Sequence, residues 1–273
     1  MNELSLFDIS GKVIIITGGS GALGGSMAAH LLKQGAKIAI LDLFPEAVDR
    51  RVTELKEIGP DVLGIAGSVL DKTDLEEAKT KILNTWGSID VLINAAGGNM
   101  PGATIGEDQT IFDLDMEDFK KVSELNLNGS VLPAMVFGEV MAEQLKGNII
   151  NISSMTATRA ITRVVGYSAS KAAIDIFTKW MATELALKFN GSIRVNAIAP
   201  GFFIGNQNRA LLINEDGSYT NRGNTIIQNT PMKRFGEADE LNGTVQWLIS
   251  DAASFVTGTI IPIDGGFSAF SGV

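Results

Sequence analysis

Short apolar runs alternate with amphipathic stretches along most of this 273-residue chain. The apolar runs are rich in Val and Ile and indicate buried strands, at residues 12–17, 38–41, 62–66, 89–93, 147–152, 192–199 and 259–263. Segments with helical periodicity separate them, at residues 26–34, 46–58, 72–86, 117–145, 165–189 and 238–250. Because strands that alternate with helices form right-handed crossovers, we expect a doubly wound α/β fold. Its parallel sheet would have seven strands, with helices on both faces.

The pattern contains no tandem repeat and no low-complexity linker, so residues 1–273 are expected to form a single domain. The polar stretch at residues 201–236 is the exception to the alternation. It is too long for an ordinary connection between elements. We interpret it as an inserted lid over a substrate site.

Composition narrows the class of protein. Hydrophobic residues make up 45% of the chain, yet no apolar run approaches the roughly 18 residues that a membrane span needs. The first residues, MNELSLFD, lack the basic and apolar regions of a secretory signal, which predicts a cytoplasmic protein. The sequence has no Cys, which excludes disulfides, thiolate nucleophiles and Cys-based zinc sites, and we expect no metal.

The charge balance bears on partners. A net charge of −9 and a pI near 4.7 argue against a nucleic-acid or membrane partner. The single His, His30, lies in the first predicted helix, where a packed or solvated side chain is expected. A Ser-His-Asp triad is therefore not available.

Ser154, Tyr167 and Lys171 form the candidate catalytic group. Tyr167 and Lys171 stand four apart in the predicted helix 165–189, so they lie one turn apart on one face. A nearby ammonium favours the phenolate and lowers a phenol pKa from about 10, which makes proton transfer from an alcohol feasible. Ser154 follows the strand 147–152 and could hold the same substrate oxygen. A lone Tyr-x-x-x-Lys recurs by chance, but here it follows a nucleotide-binding pattern.

Five of the eight residues 18–25, between the first strand and the first helix, are Gly. Such a turn lets the backbone approach a pyrophosphate, whose charge is met by free N–H groups and the helix dipole. The stretch nearly matches a P-loop, but Gly25 stands where that motif requires Lys. Asp42 ends the second strand, where a carboxylate can hold a ribose 2′-hydroxyl or cap a helix. No Lys or Arg occurs in residues 17–25 or 38–47, so NAD is favoured over NADP as the cofactor.

Several motifs, in the same order, resemble the short-chain dehydrogenase/reductase family from about residue 7 to residue 266. They are Thr17-Gly18 with Gly24, Asn94-Ala95-Ala96-Gly97, Asn126 in Leu125-Asn126-Leu127-Asn128-Gly129, the Ser154, Tyr167 and Lys171 group, and Pro200-Gly201. The chain departs from the family pattern at Ala22, Ser68 and Gly205, where the family commonly has Gly, Asp and Thr. The resemblance implies a single-domain Rossmann fold, a nicotinamide cofactor and a homotetramer.

The resemblance also implies a role for each matching residue. Tyr167 would take the hydroxyl proton and Ser154 hold the oxygen, while Lys171 would lower the Tyr167 pKa and bind the nicotinamide ribose. Asn126 would hold a relay water and is the fourth catalytic residue. The implied cofactor-binding residues are Gly18, Ser20, Ala22, Leu23, Gly24, Asp42, Ser68, Val69, Asn94, Ala95, Ala96, Gly97, Tyr167, Lys171, Pro200, Gly201 and Phe203. An NAD-dependent hydride-transfer enzyme is expected, with a nucleotide-binding module without turnover as the alternative.

Substrate identity depends on the loops around the site. Residues 97–104, 202–209 and 229–236 resemble the branch of the family that acts on D-mannonate and D-fructuronate. Gluconate 5-dehydrogenase-like and 3-oxoacyl-thioester reductases are the alternatives. A sugar acid fits the Asn- and Gln-rich lid better, and a thioester reductase usually prefers NADPH, which Asp42 disfavours.

A sugar-acid carboxylate needs a cation near the mouth of the site, and an Arg can offer it a bidentate pair. Four arginines flank the predicted site: Arg159, Arg163, Arg209 and Arg222. Arg163, four residues before Tyr167, is the first choice and Arg209 the second, although each could be a solvated surface residue. The tentative substrate-binding residues are therefore Asn99, Ser154, Arg163 and Arg209.

Self-association is expected from an excess of apolar residues. The predicted helices 117–145 and 165–189 carry more of them than one sheet face requires, and Phe267 and Phe270 remain in the C-terminal tail. These residues could form the surfaces of the homotetramer that the resemblance implies. Alternatively, all of them belong to the core.

Overall fold

A computed structural model describes residues 5–205 and 208–272, which fold around one sheet. Its described strands are β1 (Val13–Thr17), β2 (Lys37–Asp42), β3 (Val62–Ala66), β4 (Val91–Asn94), β5 (Gly147–Ile152), β6 (Ile193–Pro200) and β7 (Ile260–Ile263). Their order is β3-β2-β1-β4-β5-β6-β7, and all neighbouring pairs are parallel. The predicted doubly wound α/β fold is confirmed, and each predicted strand ends within two residues of the observed one.

Helices cover both faces of the sheet. In the described residues they are α1 (Ala22–Lys33), α2 (Pro45–Lys56), α3 (Lys72–Trp86), α4 (Met116–Ser123), α5 (Gly129–Gln144), α6 (Val165–Lys188), α7 (Arg209–Leu212), α8 (Asn221–Asn229) and α9 (Asn242–Ile249). Residues of α1, α2 and α9 belong to one apolar cluster, and residues of α3, α5 and α6 to another. None of these helices is long and apolar enough to cross a membrane.

The two clusters explain why the strands are mainly apolar. Side chains of a strand point alternately to its two faces. In β1, Ile14 and Ile16 join the cluster under α1, α2 and α9, whereas Val13 and Ile15 join the cluster under α3, α5 and α6. Since both faces are buried, most strand positions are apolar. Polar side chains inside strands, such as Asn148 and Asn196, are buried and donate to the backbone carbonyls of Leu248 and Val256, at 2.9 Å each.

The predicted helix 117–145 is interrupted in the structure. A π-helical segment, Glu124–Asn128, separates α4 from α5. In it the buried Asn126 turns its side chain back to the Val122 carbonyl, at 2.8 Å. Single π turns of this kind are frequent at functional sites. The apolar periodicity alone gave no sign of the interruption, because both flanking helices continue it.

The stretch at 201–236 folds around an apolar cluster of its own. Leu212, Ile226 and Phe235 are buried together, and a short parallel bridge joins Phe203 to Gly236 at the base. The stretch contains α7 and α8 and follows the carboxyl end of β6. This position next to the ligand-binding edge of the sheet is compatible with the predicted lid, which stays a prediction.

Candidate active site

The carboxyl ends of five strands meet at one edge of the sheet. Gly18 follows β1, Asp42 ends β2, Asn94 ends β4, Ser153 follows β5 and Pro200 ends β6. β1 and β4 are adjacent although β2 and β3 lie between them in sequence. Open α/β sheets bind ligands at the carboxyl edge beside such a switch point. The residues selected from the sequence therefore gather at the edge where a dinucleotide is expected.

The turn after β1 requires glycine at position 18. The φ angle of Gly18 is +66°, in the left-handed region, and a Cβ there would stand 2.7 Å from the Ala96 nitrogen. The buried Thr17 hydroxyl accepts hydrogen bonds from the Ala95 and Ala96 nitrogens, at 3.2 Å each. Thr17 thus fixes the end of β4 against the glycine turn, a role that the sequence interpretation missed.

Helix α1 turns its N-terminus to this edge. Its N-cap is Gly21, and no side chain of the described residues caps the first turn. The N–H groups of Ala22, Leu23 and Gly24 therefore lack the partner that a capping side chain supplies. An anion such as a pyrophosphate suits these groups and the helix dipole. The Ala22 methyl is exposed, so Ala fits at this position.

Asp42 is held firmly at the end of β2. One carboxylate oxygen accepts from the Ser20 nitrogen at 3.0 Å, and the other accepts from the Leu43 nitrogen at 2.8 Å. The two bonds fix the carboxylate beside the glycine turn. A carboxylate in this position can accept from a ribose 2′-hydroxyl.

An arginine from α2 also reaches the glycine turn. The Arg51 guanidinium donates to the Ser20 carbonyl at 3.2 Å and to Glu54 at 2.6 Å. It rests against Gly25, where a Cβ would stand 2.5 Å from its Cζ. Its buried Nε and the buried Ser20 hydroxyl have no partner among the described residues. The prediction that no basic group lies near this point was wrong, because folding brings α2 back beside the turn.

The residues after β3 and β4 mainly brace the backbone. The Ser68 hydroxyl accepts from the Leu70 nitrogen at 3.1 Å, and Val69 is buried. Asn94 is buried as well and donates to the Asn151 side chain at 2.9 Å. Asn94 therefore ties β4 to β5.

Asn126 lies beside the candidate lysine. Its Nδ2 donates to the Gly98 carbonyl at 2.8 Å, and its Oδ1 accepts from the Gly98 nitrogen at 3.1 Å. A Cβ on Gly97 would stand 2.7 Å from that oxygen and 3.6 Å from the Lys171 Nζ. The Asn126 side chain thus clamps the turn after β4. The relay water that the resemblance implied has to share Oδ1 with this contact or bind elsewhere.

Ser154, Tyr167 and Lys171 lie close together in the structure. Ser154 lies just after β5, and α6 carries Tyr167 and Lys171 one turn apart. The Lys171 Nζ lies 5.5 Å from the centre of the Tyr167 ring and donates to the Ile152 carbonyl at 2.6 Å. Ser154 and Lys171 are only 6% and 4% exposed. A hydroxyl, a phenol and an amine therefore line one point at the carboxyl edge.

Burial dominates the proton affinities of this group. It raises the pKa of Tyr167, and a hydrogen bond with Ser154 opposes that rise only in part. It also lowers the pKa of Lys171 to about 8. From the sequence, Lys171 was expected to lower the Tyr167 pKa. In the protein without bound ligands, the Tyr167 pKa is instead raised. The cost of burying a phenolate outweighs the effect of the Ser154 hydrogen bond, which favours the phenolate.

Asp175 lies one turn beyond Lys171 on α6 and was missed from the sequence. Its carboxylate accepts a hydrogen bond from the Ser153 hydroxyl. Burial raises the Asp175 pKa, whereas Ser153 and the charges of Lys179 and Lys171 lower it. In return, the Asp175 charge raises the Lys171 pKa against the effect of burial. The i, i+4 spacing from Lys171 was the signal that could have indicated this charge interaction.

The four candidate arginines differ in their surroundings. Arg159 donates to the Ser268 carbonyl in the C-terminal tail at 2.8 Å, and Arg209, at the start of α7, is exposed. Arg222 lies close to Arg163, because both of its Nη atoms are 3.5 Å from an oxygen of Thr162, the residue before Arg163. Burial and then the charge of Arg163 lower the Arg222 pKa. The described part of the chain thus brings Arg163 and Arg222 together.

Two polar side chains near the site carry atoms without partners. Asn99 donates to the Thr104 hydroxyl at 2.6 Å, but its buried Oδ1 has no partner among the described residues. The buried Thr156 hydroxyl also has no partner among the described residues. The Thr156 nitrogen donates to the Ser154 hydroxyl at 3.2 Å. Buried polar atoms normally find a partner, so both residues suit a hydroxylated ligand.

The segment after β6 fits tightly. A Cβ on Gly201 would stand 2.6 Å from the Asp264 Cα, so Gly is required there. Pro200 is buried at the end of the strand, and the Phe203 ring is 8% exposed within the core. The predicted cofactor contact of Phe203 is therefore restricted to its backbone.

Comparison with known proteins extends these findings. A family model for enoyl-(acyl carrier protein) reductase matches residues 19–268. The uncharacterized oxidoreductase UxuB of Bacillus subtilis is 46% identical over 275 residues, 97% of this chain and 98% of that relative. A solved structure from Haemophilus influenzae, a proposed D-mannonate oxidoreductase with bound NAD, is 43% identical with a TM-score of 0.90, over 97% of this chain and 98% of that one. The 2-dehydro-3-deoxy-D-gluconate 5-dehydrogenase of Formosa agariphila is 32% identical, over 99% of this chain and 97% of that relative.

The fold and these relatives define a dehydrogenase that acts on CH–OH groups. The chain belongs to the short-chain dehydrogenase/reductase family. The resemblance drawn from its motifs is thereby confirmed, and so is the expectation that it is an enzyme.

The charge of Asp175 predicts a shift in the Lys171 pKa when it is removed. Asp175→Asn removes a negative charge that raises the Lys171 pKa, so this pKa should fall further below its present value and the ammonium should be lost at lower pH. NMR titration of protein with ¹³C-labelled lysine measures the change. Asp239→Asn, at an exposed position, makes the same charge change as a control. An unchanged or higher Lys171 pKa in Asp175→Asn contradicts the prediction.

Proposed function

We propose that this protein is an NAD-dependent oxidoreductase that interconverts a secondary hydroxyl of a sugar acid with its ketone, with D-mannonate and D-fructuronate as the preferred pair. The observation that carries the proposal is the meeting of Ser154, Tyr167 and Lys171 at the edge that also bears the nucleotide turn. The sugar acid is supported by the names of relatives, one a proposed D-mannonate oxidoreductase with NAD and another a 2-dehydro-3-deoxy-D-gluconate dehydrogenase.

The protein groups divide the chemistry between them. A bound nicotinamide supplies the hydride acceptor or donor. Ser154 holds the substrate oxygen, and Tyr167 moves one proton at its phenol oxygen, toward the ketone in reduction and from the alcohol in oxidation. The raised Tyr167 pKa keeps the phenol protonated in the protein alone, which suits proton donation to a ketone. Lys171, with a pKa of about 8, offers the phenolate a counter-charge when the alcohol is oxidised and can donate to the nicotinamide ribose.

The remaining predicted contacts belong to cofactor binding in this proposal. Gly18, Ala22, Leu23 and Gly24 would meet the pyrophosphate through backbone N–H groups. Asp42 would accept from the adenosine ribose and would repel a 2′-phosphate, which favours NAD. The residues from Asn94 to Gly97 would border the adenosine, and Asn126 would keep their turn in place.

A substrate screen tests the proposed function. The wild-type enzyme should oxidise D-mannonate and reduce D-fructuronate with NAD(H), as followed by absorbance at the reduced nicotinamide band. D-gluconate, its 5-keto form, 2-dehydro-3-deoxy-D-gluconate and neutral secondary alcohols are the comparison substrates. Preference for a gluconate derivative would replace the named pair, and preference for a neutral alcohol would overturn the sugar-acid proposal.

Tyr167→Phe tests the acid–base role. Only the hydroxyl is lost, so turnover should fall below about 10% of wild type, given a contribution of roughly 10²–10⁴-fold from general acid–base catalysis. NADH binding, measured by fluorescence, should persist. Residual turnover above that level would remove Tyr167 from the proposed mechanism.

Cofactor selectivity is predicted to depend on Asp42 and Arg51 together. Asp42→Asn should raise kcat/KM for NADP relative to NAD by about tenfold or more, because a charge repulsion is removed while Arg51 stays beside the turn. In the double variant that also carries Arg51→Met, much of this rise in the NADP to NAD ratio of kcat/KM should be lost. The reading of Asp42 fails if the wild type already prefers NADP or if Asp42→Asn leaves the ratio unchanged.

We also infer a homo-oligomer, with the tetramer as the expected state. Helix α6 exposes an apolar face whose residues are 61–79% accessible to water: Ile176, Trp180 and Leu187. Exposed apolar patches often mark an interface with another protein chain. Phe267, in contrast, packs edge-on against Phe202 within the chain at 5.3 Å and is not needed for an interface. Light scattering at micromolar concentration should give a mass near four chains. A monomer would contradict the inference.

A further inference from the structure

We propose that Arg163 and Arg222 form a two-armed clamp for the carboxylate of the substrate. This inference rests on the proposed function and specifies how its sugar acid is held. The two side chains come from different parts of the chain, the loop before α6 and the helix α8 of the stretch 201–236.

Arg163 is fixed by contacts with the loop after β4. The Ile105 nitrogen donates to the Arg163 carbonyl at 3.0 Å, and the Arg163 Nε donates back to the Ile105 carbonyl at 2.8 Å. The φ angle of Arg163 is +79°, a backbone conformation that residues other than Gly rarely adopt. Strained backbone of this kind persists where the surroundings hold it, and it is common at ligand sites.

Arg222 brings a second guanidinium to the same loop. It lies in the first turn of α8, whose N-cap Thr220 accepts from the Gly223 nitrogen at 3.0 Å. Its two Nη atoms each lie 3.5 Å from an oxygen of Thr162, the residue just before Arg163. These contacts are long, so most of the donor capacity of the fork stays open to a better acceptor.

The charges around the pair are not balanced. Among the described residues, Glu107 is the carboxylate that contacts it, with Oε1 3.5 Å from Nη1 of Arg163 and a side chain 85% exposed. The pair and Glu107 together leave one positive charge in a chain of net charge −9. Two partly buried like charges disfavour each other unless an anion joins them. A planar carboxylate fits this need because it can accept bidentate hydrogen bonds from guanidinium groups.

The clamp lies on segments that lead directly to the chemistry. Arg163 precedes Tyr167 by four residues, and Ile105 follows the short segment that carries Asn99. One end of an extended sugar acid would therefore be anchored by charge while a hydroxyl-bearing carbon reaches Tyr167. Because Arg222 belongs to α8, the carboxylate would also tie the stretch 201–236 to the active-site loop.

Calorimetry of D-mannonate binding to the NADH-bound enzyme tests the clamp without requiring turnover. Arg163→Met and Arg222→Met should each weaken binding about 10- to 100-fold, the loss of one charged hydrogen-bonded pair. Arg222→Lys keeps the charge but not the fork and should lose less. Arg50→Met, at an exposed position of α2, is the charge-matched control and should bind as the wild type does. D-mannonamide, which has no carboxylate, should bind the wild type and Arg222→Met alike.

Each outcome decides a different point. Because Arg163→Met can also disturb the Ile105 contact, Arg222→Met is decisive, with unchanged NADH binding as the check of its fold. Equal D-mannonate affinity in the wild type and Arg222→Met overturns the clamp, as does a wild type that binds no hexonate. A wild type that binds hexonates through both arginines but does not oxidise them retains the clamp and overturns the proposed function.

Discussion

A row of buried polar side chains joins the centre of the sheet to the helix that carries the chemistry. Thr17 accepts from the backbone at the end of β4, Asn94 donates to Asn151 on β5, and Asn151 donates to Thr178 on α6, the last two at 2.9 Å. All four side chains are at most 1% exposed. A buried polar group that loses its partner costs more than the bond itself contributes, so the row specifies one register of β1, β4, β5 and α6.

The positions of the proposed catalytic groups depend on that register. With α6 docked through Thr178, Lys171 is buried deeply enough for its amine to reach the Ile152 carbonyl. The same docking sets Asp175 on the Ser153 hydroxyl, next to Ser154. Burial then moves the pKa values of Tyr167 and Lys171 in opposite directions. The proton affinities of the site are thus a consequence of packing and are not an intrinsic property of the Tyr-x-x-x-Lys spacing.

The sequence was most informative where one local pattern determines one structure. Strands buried on both faces are mainly apolar, and the turn at Gly18 needs a residue without Cβ, so both could be predicted. The break at Glu124–Asn128 could not, because it depends on a side-chain contact of Asn126 inside a continuous apolar pattern. Arg51 was missed for a related reason, since its position beside Ser20 arises from the packing of α2. Of the substrate arginines, sequence distance favoured Arg163 but gave no indication that Arg222 lies near it.

The proposed site requires local positive charge because the protein as a whole is acidic. The net charge of −9 repels anions on average, so a dinucleotide and a sugar acid both need local compensation. The N-terminus of α1 is proposed to offer it for the pyrophosphate, and Arg163 with Arg222 is proposed to offer it for the substrate. The two positive regions lie on segments that extend from the carboxyl edge of one sheet, which would orient the substrate carbon toward the cofactor.

Direct hydride transfer between a sugar acid and NAD is the central claim, and deuterium tracing tests it most directly. D-mannonate would be labelled with deuterium at the carbon whose hydroxyl is oxidised and incubated with the enzyme and NAD. Mass spectrometry and NMR should find the deuterium on C4 of the reduced nicotinamide, and the rate of a single turnover should fall relative to unlabelled substrate. Deuterium released to water, or oxidation without label in the cofactor, would contradict the claim.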